Sequence, residues 1–554
     1  MSKRLGFSFF TGLPTWLHAW LLILGMLFGS ISDAVAVDDT RSNAELLQEI
    51  QGIKARLAQL EELVRKNAIE SAAESDATKQ TAQQAALQAT AATAAVAAAA
   101  PVVDKLEHGQ VQLGHTNLSL SGWLEGAMTW RDHNEFAAAS ATNFGTPFPK
   151  SVAYDDHELR ADARNSYLTL NMKSAMVDDV KLNGRLEVDF QSIGDNATQN
   201  NDAWSPRLRH AFVEVDNEAT GWHLVVGQTY ALTTPYGNQV RSDGSPSADK
   251  AWTMLPASPI INVGQLDDIG PAGVNSPRPF EFRVVKTFSD TALAMSLDSQ
   301  IVSWGANVAG TSPVYTGTTL SAAANNQFNS NAAQNLSLST LPDVLTKATW
   351  QPDPRYFYEV FGIMRTYRDM AGASGLSGTG TTHGVGVGID SFIKAWPGKL
   401  DITGGLGYGS LGGYAGNGIA DVTFDANGKP IAVKEVQGWL GLLAHPNRNL
   451  DLIAYVGSER STAAGISGIN YGWGNPNFLN GGCNVLGGTC NGSVKGVTDV
   501  EIGAIWRFYN GSYGHIDFMP QLTWLDKTLF ADINGYAPSA HNYALDLTVR
   551  FYPY

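Results

Sequence analysis

The connections of this chain narrow its possible folds more than any motif does. Between Asn117 and Phe551 the sequence divides into stretches of period two, and the links between them alternate between very short and long. The short links are Met176–Asp179, Asn217–Thr220, Ser289–Asp290, Asp353–Pro354, Pro397, Pro446–Asn447 and Asn510–Gly511. The long ones are 132–163, 193–206, 230–279, 303–343, 369–380, 411–431, 461–493 and 526–540. A soluble sandwich has no reason to gather every long loop at one end. A transmembrane β-barrel does, with short turns on one side and long loops on the other.

The stretches themselves fit that frame. They run near 117–131, 164–175, 180–192, 207–216, 221–229, 280–288, 291–302 and 344–352, then 355–368, 381–395, 398–410, 432–445, 448–460, 494–508, 513–525 and 541–551. That is sixteen, an even number as an up-and-down barrel requires, with fourteen and eighteen as the neighbouring alternatives. In the last stretch Tyr543, Leu545, Leu547, Val549 and Phe551 share one face, and Ala544, Asp546, Thr548 and Arg550 share the other, because side chains of a strand alternate. This strand is expected to pair with Asn117–Arg131 and close the barrel.

Charges segregate to the expected inner faces. Arg185, Glu187 and Asp189 oppose Leu182, Gly184, Leu186, Val188 and Phe190; Glu281 and Arg283 oppose Phe280 and Phe282. Asp499, Glu501 and Arg507 oppose Val500, Ile502, Trp506 and Phe508, and His515 and Asp517 oppose Ile516 and Phe518. Arg207 and Arg209 share a face, although the other face, Leu208, His210, Phe212 and Glu214, is mixed. A Lys or Arg facing lipid at the midplane costs ~2–4 kcal/mol, so the pattern points to a water-filled interior. The plain role of any one such charge is to pair and to solvate the wall. The longest link, 230–279, carries Leu232, Tyr236, Trp252, Met254, Leu255, Ile260 and Ile261. It is too apolar to stand in water, so it folds into the lumen and narrows it, or packs outside as a lid.

The N-terminal region is of another kind. Lys3 and Arg4, the apolar segment within Trp16–Ile31 and Ala34-Val35-Ala36 make residues 1–36 a signal peptide. Its removal takes away two positive charges and one negative (Asp33), so the formal charge goes from −15 to −16. Residues 37–67 are expected to form a helix: Ile50, Leu57 and Val64 occupy a positions, and Leu46, Ile53 and Leu60 d positions, of a heptad. A single amphipathic helix is the alternative to a coiled coil. Residues 68–116 form an Ala-rich spacer, ended in its low-complexity part by Pro101, and 117–554 form the barrel. Beyond the signal, no run approaches the ~18 apolar residues of a spanning helix.

Other function classes find little support. With 52 acidic against 37 basic residues, nucleic acid is not an expected partner, since phosphate binding needs clustered Lys and Arg. GxSxG and HExxH motifs are absent, as is a tight His/Asp/Ser cluster, so no catalytic residue, metal or cofactor is expected. Gly384, Gly386 and Gly388 fall inside a strand pattern, where they relieve crowding. Cys483 and Cys490, the two cysteines of an exported chain, are expected to form a local disulfide.

The heptad and spacer before the barrel, LSGWLEGAMTW, NGRLEVDF followed by SPRLRHAFVEV, WHLVVGQTYAL and WRFYNGSYGHIDFMPQLTW together resemble the DcaP-like trimeric porins and related Gram-negative porins. The resemblance implies a homotrimer held through barrel walls and a periplasmic coiled coil, set in outer-membrane lipid and passing small hydrophilic solutes. It further implies a preference for anionic, dicarboxylate-like solutes, with Arg185, Arg207, Arg209 and Arg283 at the constriction by strand location. Glu187, Asp189 and Glu281 complete the set of expected pore-lining residues. A structural or adhesive outer-membrane protein, joined to the envelope by its coiled coil, is the alternative.

Overall fold

A computed structural model describes residues 110–553, apart from 136–138, 140–145, 152, 178–179, 193–204, 237–253, 256–270, 303–325, 328–340, 369–379, 417, 426–428, 470, 487, 489 and 491. Residues 1–109, which hold the expected signal, the expected heptad helix and most of the expected spacer, thus lie outside the described residues.

One antiparallel sheet of eighteen strands dominates, and two of these, Gln110–Leu113 and Glu158–Asp162, are short accessories. The remaining sixteen close a barrel. The first eight are β1 (Thr116–Arg131), β2 (Tyr167–Val177), β3 (Val180–Ser192), β4 (Ser205–Asn217), β5 (Trp222–Gln228), β6 (Phe280–Thr287), β7 (Thr291–Asp298) and β8 (Asp343–Asp353). The second eight are β9 (Tyr356–Arg368), β10 (Thr381–Trp396), β11 (Leu400–Gly409), β12 (Glu435–Asn447), β13 (Leu450–Ser461), β14 (Val494–Gly511), β15 (Gly514–Leu529) and β16 (Ser539–Tyr552). Every period-two stretch of the sequence forms one of these strands. The seventh stretch ends early: Ile301–Val302 leaves the wall and pairs with Asn326–Gln327 in the following loop.

The seam lies where expected. β1 pairs with β16 from Leu124↔Phe551 to Arg131↔Ala544, and its first half pairs with β2 from Thr116↔Ser174 to Trp123↔Tyr167. Gln110–Leu113, inside the stretch read as spacer, folds back on the start of β1. The closing strand runs one residue past Phe551, and the Tyr552 ring stacks on His515 at 4.2 Å.

Alternation decides what each strand shows to which side. Leu168, Phe282, Val360, Val387, Ile389, Leu406, Ile502 and Leu522 are exposed on the outer wall, whereas their sequence neighbours are buried inside. A continuous apolar outer belt with a charged interior suits a wall surrounded by hydrocarbon. Val387→Arg, on this belt, is therefore expected to lower stability in lipid vesicles by about 2–4 kcal/mol. Denaturant unfolding of the vesicle-inserted protein measures this.

Strict alternation breaks in β4, and the departure corrects the sequence reading. β4 carries a bulge opposite β3: the register steps from Glu187↔His210 to Val188↔Leu208 and skips Arg209. Two consecutive residues, Arg209 and His210, therefore both face inward. Phe212 and Glu214, expected on the face opposite Arg207 and Arg209, are buried on the same side as them.

The long loops at one end fasten to each other. Hairpins Val422–Phe424/Pro430–Ala432 and Ala464–Ser467/Tyr471–Trp473 stand beside a short turn at Gly481–Asn484. Cys483 and Cys490 are joined in a disulfide, as expected from their spacing. The Asp532 carboxylate accepts the amides of Asn480 (3.1 Å), Asn534 (2.9 Å) and Tyr536 (3.0 Å), and these hydrogen bonds, that of Asn480 foremost, hold its pKa below the usual range. A depressed carboxylate pKa contributes stability above its unfolded value and loses it as pH falls through the folded one. Acidification is therefore expected to lower the hydrogen-exchange protection factors of the Asn480 and Tyr536 amides, and Asp532→Asn to remove that pH dependence of protection.

Candidate functional site: a loop across the barrel and an arginine cluster

The connection from β5 to β6 enters the barrel. Its two limbs begin as neighbours, with the Thr229 amide donating to the Pro279 carbonyl at 3.3 Å and Ala231 to Pro277 at 3.0 Å. The first limb is then held by a charged pair on β6. Arg283, fully buried, pairs with Glu281 at 2.6 Å. It also donates to Tyr236 Oη at 2.8 Å, to the Met254 carbonyl at 2.7 Å and to the Tyr230 carbonyl. Lys347 of β8 donates to the Thr234 carbonyl at 2.7 Å and pairs with Glu359 of β9 at 2.8 Å, while Glu359 accepts the Tyr236 amide at 2.8 Å. Buried charges are tolerated when paired and fully hydrogen-bonded, and here the loop backbone supplies the missing partners. Burial pushes the Tyr236 hydroxyl pKa up, against the opposing pull of Arg283.

Apolar contact completes the anchoring. Leu232, Met254 and Leu255 of the loop pack with Phe212, Val225, Val285, Leu345, Phe357, Phe361, Ile363 and Phe392 from the inner wall of β4 to β10. The interior on that side is a packed core.

The second limb reaches a different wall. The Ala272 amide donates to Asp499 of β14 at 3.1 Å, and the Gly273 amide to Glu459 of β13 at 2.7 Å. Gly273 has φ +86, and a Cβ there would lie 2.9 Å from the Gly438 nitrogen of β12, so glycine alone permits this close approach. Val274 packs with Trp439, Leu443, Ile453, Tyr455 and Met519. One loop is thus tied to β6, β8 and β9 at one limb and to β12, β13 and β14 at the other. Its described parts lie inside the barrel, not outside as a lid.

Neither packed cluster draws a side chain from β1, β2 or β3. On that side stand the arginines. Asp189 of β3 accepts from Arg207 Nε at 3.0 Å and Nη2 at 2.5 Å, and from Arg209 at 2.9 Å; Glu187 accepts from Arg209 at 3.0 Å. Arg185 donates to the neutral Asn171 at 3.0 Å. Arg278, on the returning limb, donates to Tyr230 Oη at 3.0 Å with its guanidinium 5.1 Å from the ring centre. The Tyr230 ring in turn meets His210 at 5.1 Å, and Arg185, Arg209 and Arg278 are all near enough to act electrostatically on that imidazole. Four guanidiniums and two carboxylates leave 4 − 2 = +2. Among the described residues neither Arg185 nor Arg278 meets a carboxylate.

The structure therefore separates the residues singled out in the sequence. Arg185, Glu187, Asp189, Arg207 and Arg209 come together on β3 and β4. Glu281 and Arg283 are fully buried under the loop and hold it, with Tyr230 bonded to Arg283 through its carbonyl and to Arg278 through its hydroxyl. Sequence reasoning missed Arg278, whose signal was a cation between two prolines, Pro277 and Pro279, at the end of a long loop. It also missed the inward rings Tyr167, Trp123 and Tyr552, which with His515, already expected on an inner face, lie on four adjacent strands, with Arg550 over Trp123 at 4.6 Å.

A closed sixteen-stranded barrel with an apolar belt, a charged interior and one loop laid across it has the architecture of a membrane channel. Among solved structures the chain is similar to the outer membrane channel DcaP of Acinetobacter baumannii, with a TM-score of 0.53 and 16% identity over 80% of this chain and 98% of that one. This likeness shows a shared fold. It is also similar to the anion-selective porin from Comamonas acidovorans (TM-score 0.41, 12% identity, 79% and 99% covered). A further similar structure is OmpF of Salmonella typhi in complex with daunomycin (TM-score 0.41, 11% identity, 80% and 100% covered). No family model matches the chain, and no curated protein sequence does.

Proposed function

We propose that this protein is an outer-membrane porin, a water-filled channel through which small hydrophilic solutes diffuse down their gradient, with anions favoured. The loop fastened to two separate parts of the wall carries the reading. It narrows a lumen that sixteen strands would otherwise leave wide, and it brings Arg278 beside Arg185, Arg207 and Arg209 on the side left unpacked. A surplus of two guanidiniums attracts anions in a confined aqueous passage, where low-dielectric walls focus the field. The protein works in the outer membrane as a homotrimer joined through its barrel walls, with residues 37–67 as a periplasmic helical extension.

Planar-bilayer recording of the purified protein tests this. Stepwise conductance is expected, with a reversal potential in a KCl gradient that has the sign of chloride preference. Protein that inserts and never conducts would overturn the channel, and a potassium-selective reversal potential would overturn the anion preference. The preference is also expected to fade when both chambers go from 0.1 to 1 M salt, because the screening length falls from about 10 to about 3 Å.

A further inference from the structure

The inner wall holds a group of oxygen atoms that the passage of solutes does not use. It lies across β9 to β13, beside the second limb of the loop, and glycines make room for it. A Cβ on Gly384 of β10 would lie 2.9 Å from the Tyr367 ring of β9, and one on Gly407 of β11 would lie 2.8 Å from the Gln437 side chain of β12. The Tyr367 ring thus lies over β10 and the Gln437 amide over β11. Gln437 pairs directly across the strands with Glu459 of β13, and Glu435 is diagonal to it on the same face. None of these four side chains is more than 2% exposed.

Two observations say what belongs there. The first is a set of polar atoms without protein partners. Both carboxylate oxygens of Glu435, Oε1 of Gln437 and the Tyr367 hydroxyl make no hydrogen bond among the described residues. Tyr367 is near enough to Glu435 to act on it electrostatically. The second is the charge around Glu435. Glu459 and Asp421 both act on it as like charges, and Arg365, the one cation acting on it, is already held by Asp343 at 3.0 Å and by Asp421. A carboxylate buried without a hydrogen bond or a counter-charge of its own is strongly unfavourable until something neutralises it. Carboxylate, amide and phenol oxygens are the donors of a hard cation, and Ca²⁺ accepts such an irregular set more readily than Mg²⁺ does.

We infer that Glu435, Glu459 and Oε1 of Gln437 hold a Ca²⁺ ion on the inner wall, with the Tyr367 hydroxyl beside it. Glu459 also accepts the Gly273 amide at 2.7 Å, so the ion fastens the second limb of the loop to β12 and β13. The site stands whether the lumen favours anions or cations. Titration calorimetry of the full-length protein in detergent, treated with EDTA and then given CaCl₂, reads it directly. Wild type is expected to bind one Ca²⁺ per protomer and to gain in unfolding midpoint. Glu435→Gln is expected to weaken binding by roughly tenfold or more and to reverse the order of stability. In EDTA the variant is the more stable, because wild type then buries an unneutralised carboxylate; in saturating Ca²⁺ it is the less stable. If Glu435→Gln does not fold, Gln437→Leu, which removes the oxygen and keeps the bulk, is expected to weaken binding severalfold. No Ca²⁺ on wild type, or equal binding by wild type and variant, overturns the site. An order of stability that Ca²⁺ leaves unchanged also overturns it, by assigning Glu435 to a proton or to water. Conductance recorded on the same preparations keeps failure of this site distinct from failure of the channel.

Discussion

Replacing Arg185 and Arg278 together with glutamate is expected to turn chloride preference into potassium preference, with the permeability ratio shifting at least tenfold. These two arginines are the surplus of the cluster. Arg207 and Arg209 are engaged by Asp189 and Glu187, whereas Arg185 bonds a neutral amide and Arg278 a phenol. The double change moves the local charge from +2 to −2. A unit charge 4 Å from a passing ion is worth about 1 kcal/mol in water and about 4 kcal/mol at the effective dielectric of a protein surface. A tenfold ratio needs only about 1.4 kcal/mol, so even strongly screened charges suffice. Reversal potentials in a KCl gradient measure the outcome, and an unchanged sign would remove the cluster from the selectivity mechanism. Arg207→Gln is the contrasting variant: it leaves Asp189 less compensated and is expected to weaken the preference without reversing it.

Arg283→Ala is expected to widen the channel and destabilise the protein at once. This side chain holds two loop carbonyls, Tyr230 and Met254, the Tyr236 hydroxyl and the Glu281 carboxylate, all away from water. Removing one partner of a buried pair costs about 3–5 kcal/mol, mostly because the other charge is left uncompensated. The loop can relieve that cost by lifting from the wall and admitting water, so single-channel conductance is expected to rise at least twofold while the unfolding midpoint falls. In Glu281→Gln/Arg283→Ala the orphaned charge is gone, so stability should partly recover while the conductance stays high. If conductance follows stability back to wild type, the loop does not set the aperture.

Much of the barrel was legible in the sequence, because period-two patterning and turn chemistry are local. The charges of β3 stood at alternate positions, and the face they occupy follows from the leucines between them. Two things were not legible. The bulge at Arg209–His210 inserts one residue into a register that sequence alternation assumes unbroken, so Phe212 and Glu214 were assigned to the wrong side. The roles of Arg283 and Arg278 depend on where a fifty-residue connection travels. Arg283 sits at a strand position that reads as pore-lining, yet the loop covers it. Arg278 sits in the loop, where no period assigns a face, and meets β4 only because both limbs leave the wall side by side.

The seam has a kinetic consequence. Glu125 and Arg550, 425 residues apart, form an ion pair across it, and Thr129 bonds Asp546 over a separation of 417. Closing a loop of that length is entropically slow to achieve even though its free-energy cost grows only logarithmically. Until β16 arrives, β1 carries an unpaired edge able to template association with another chain. An unfinished or truncated chain therefore cannot rest as a smaller barrel. It stays open and adhesive, and a cell making this protein depends on holding the chain apart from others until its two ends have met.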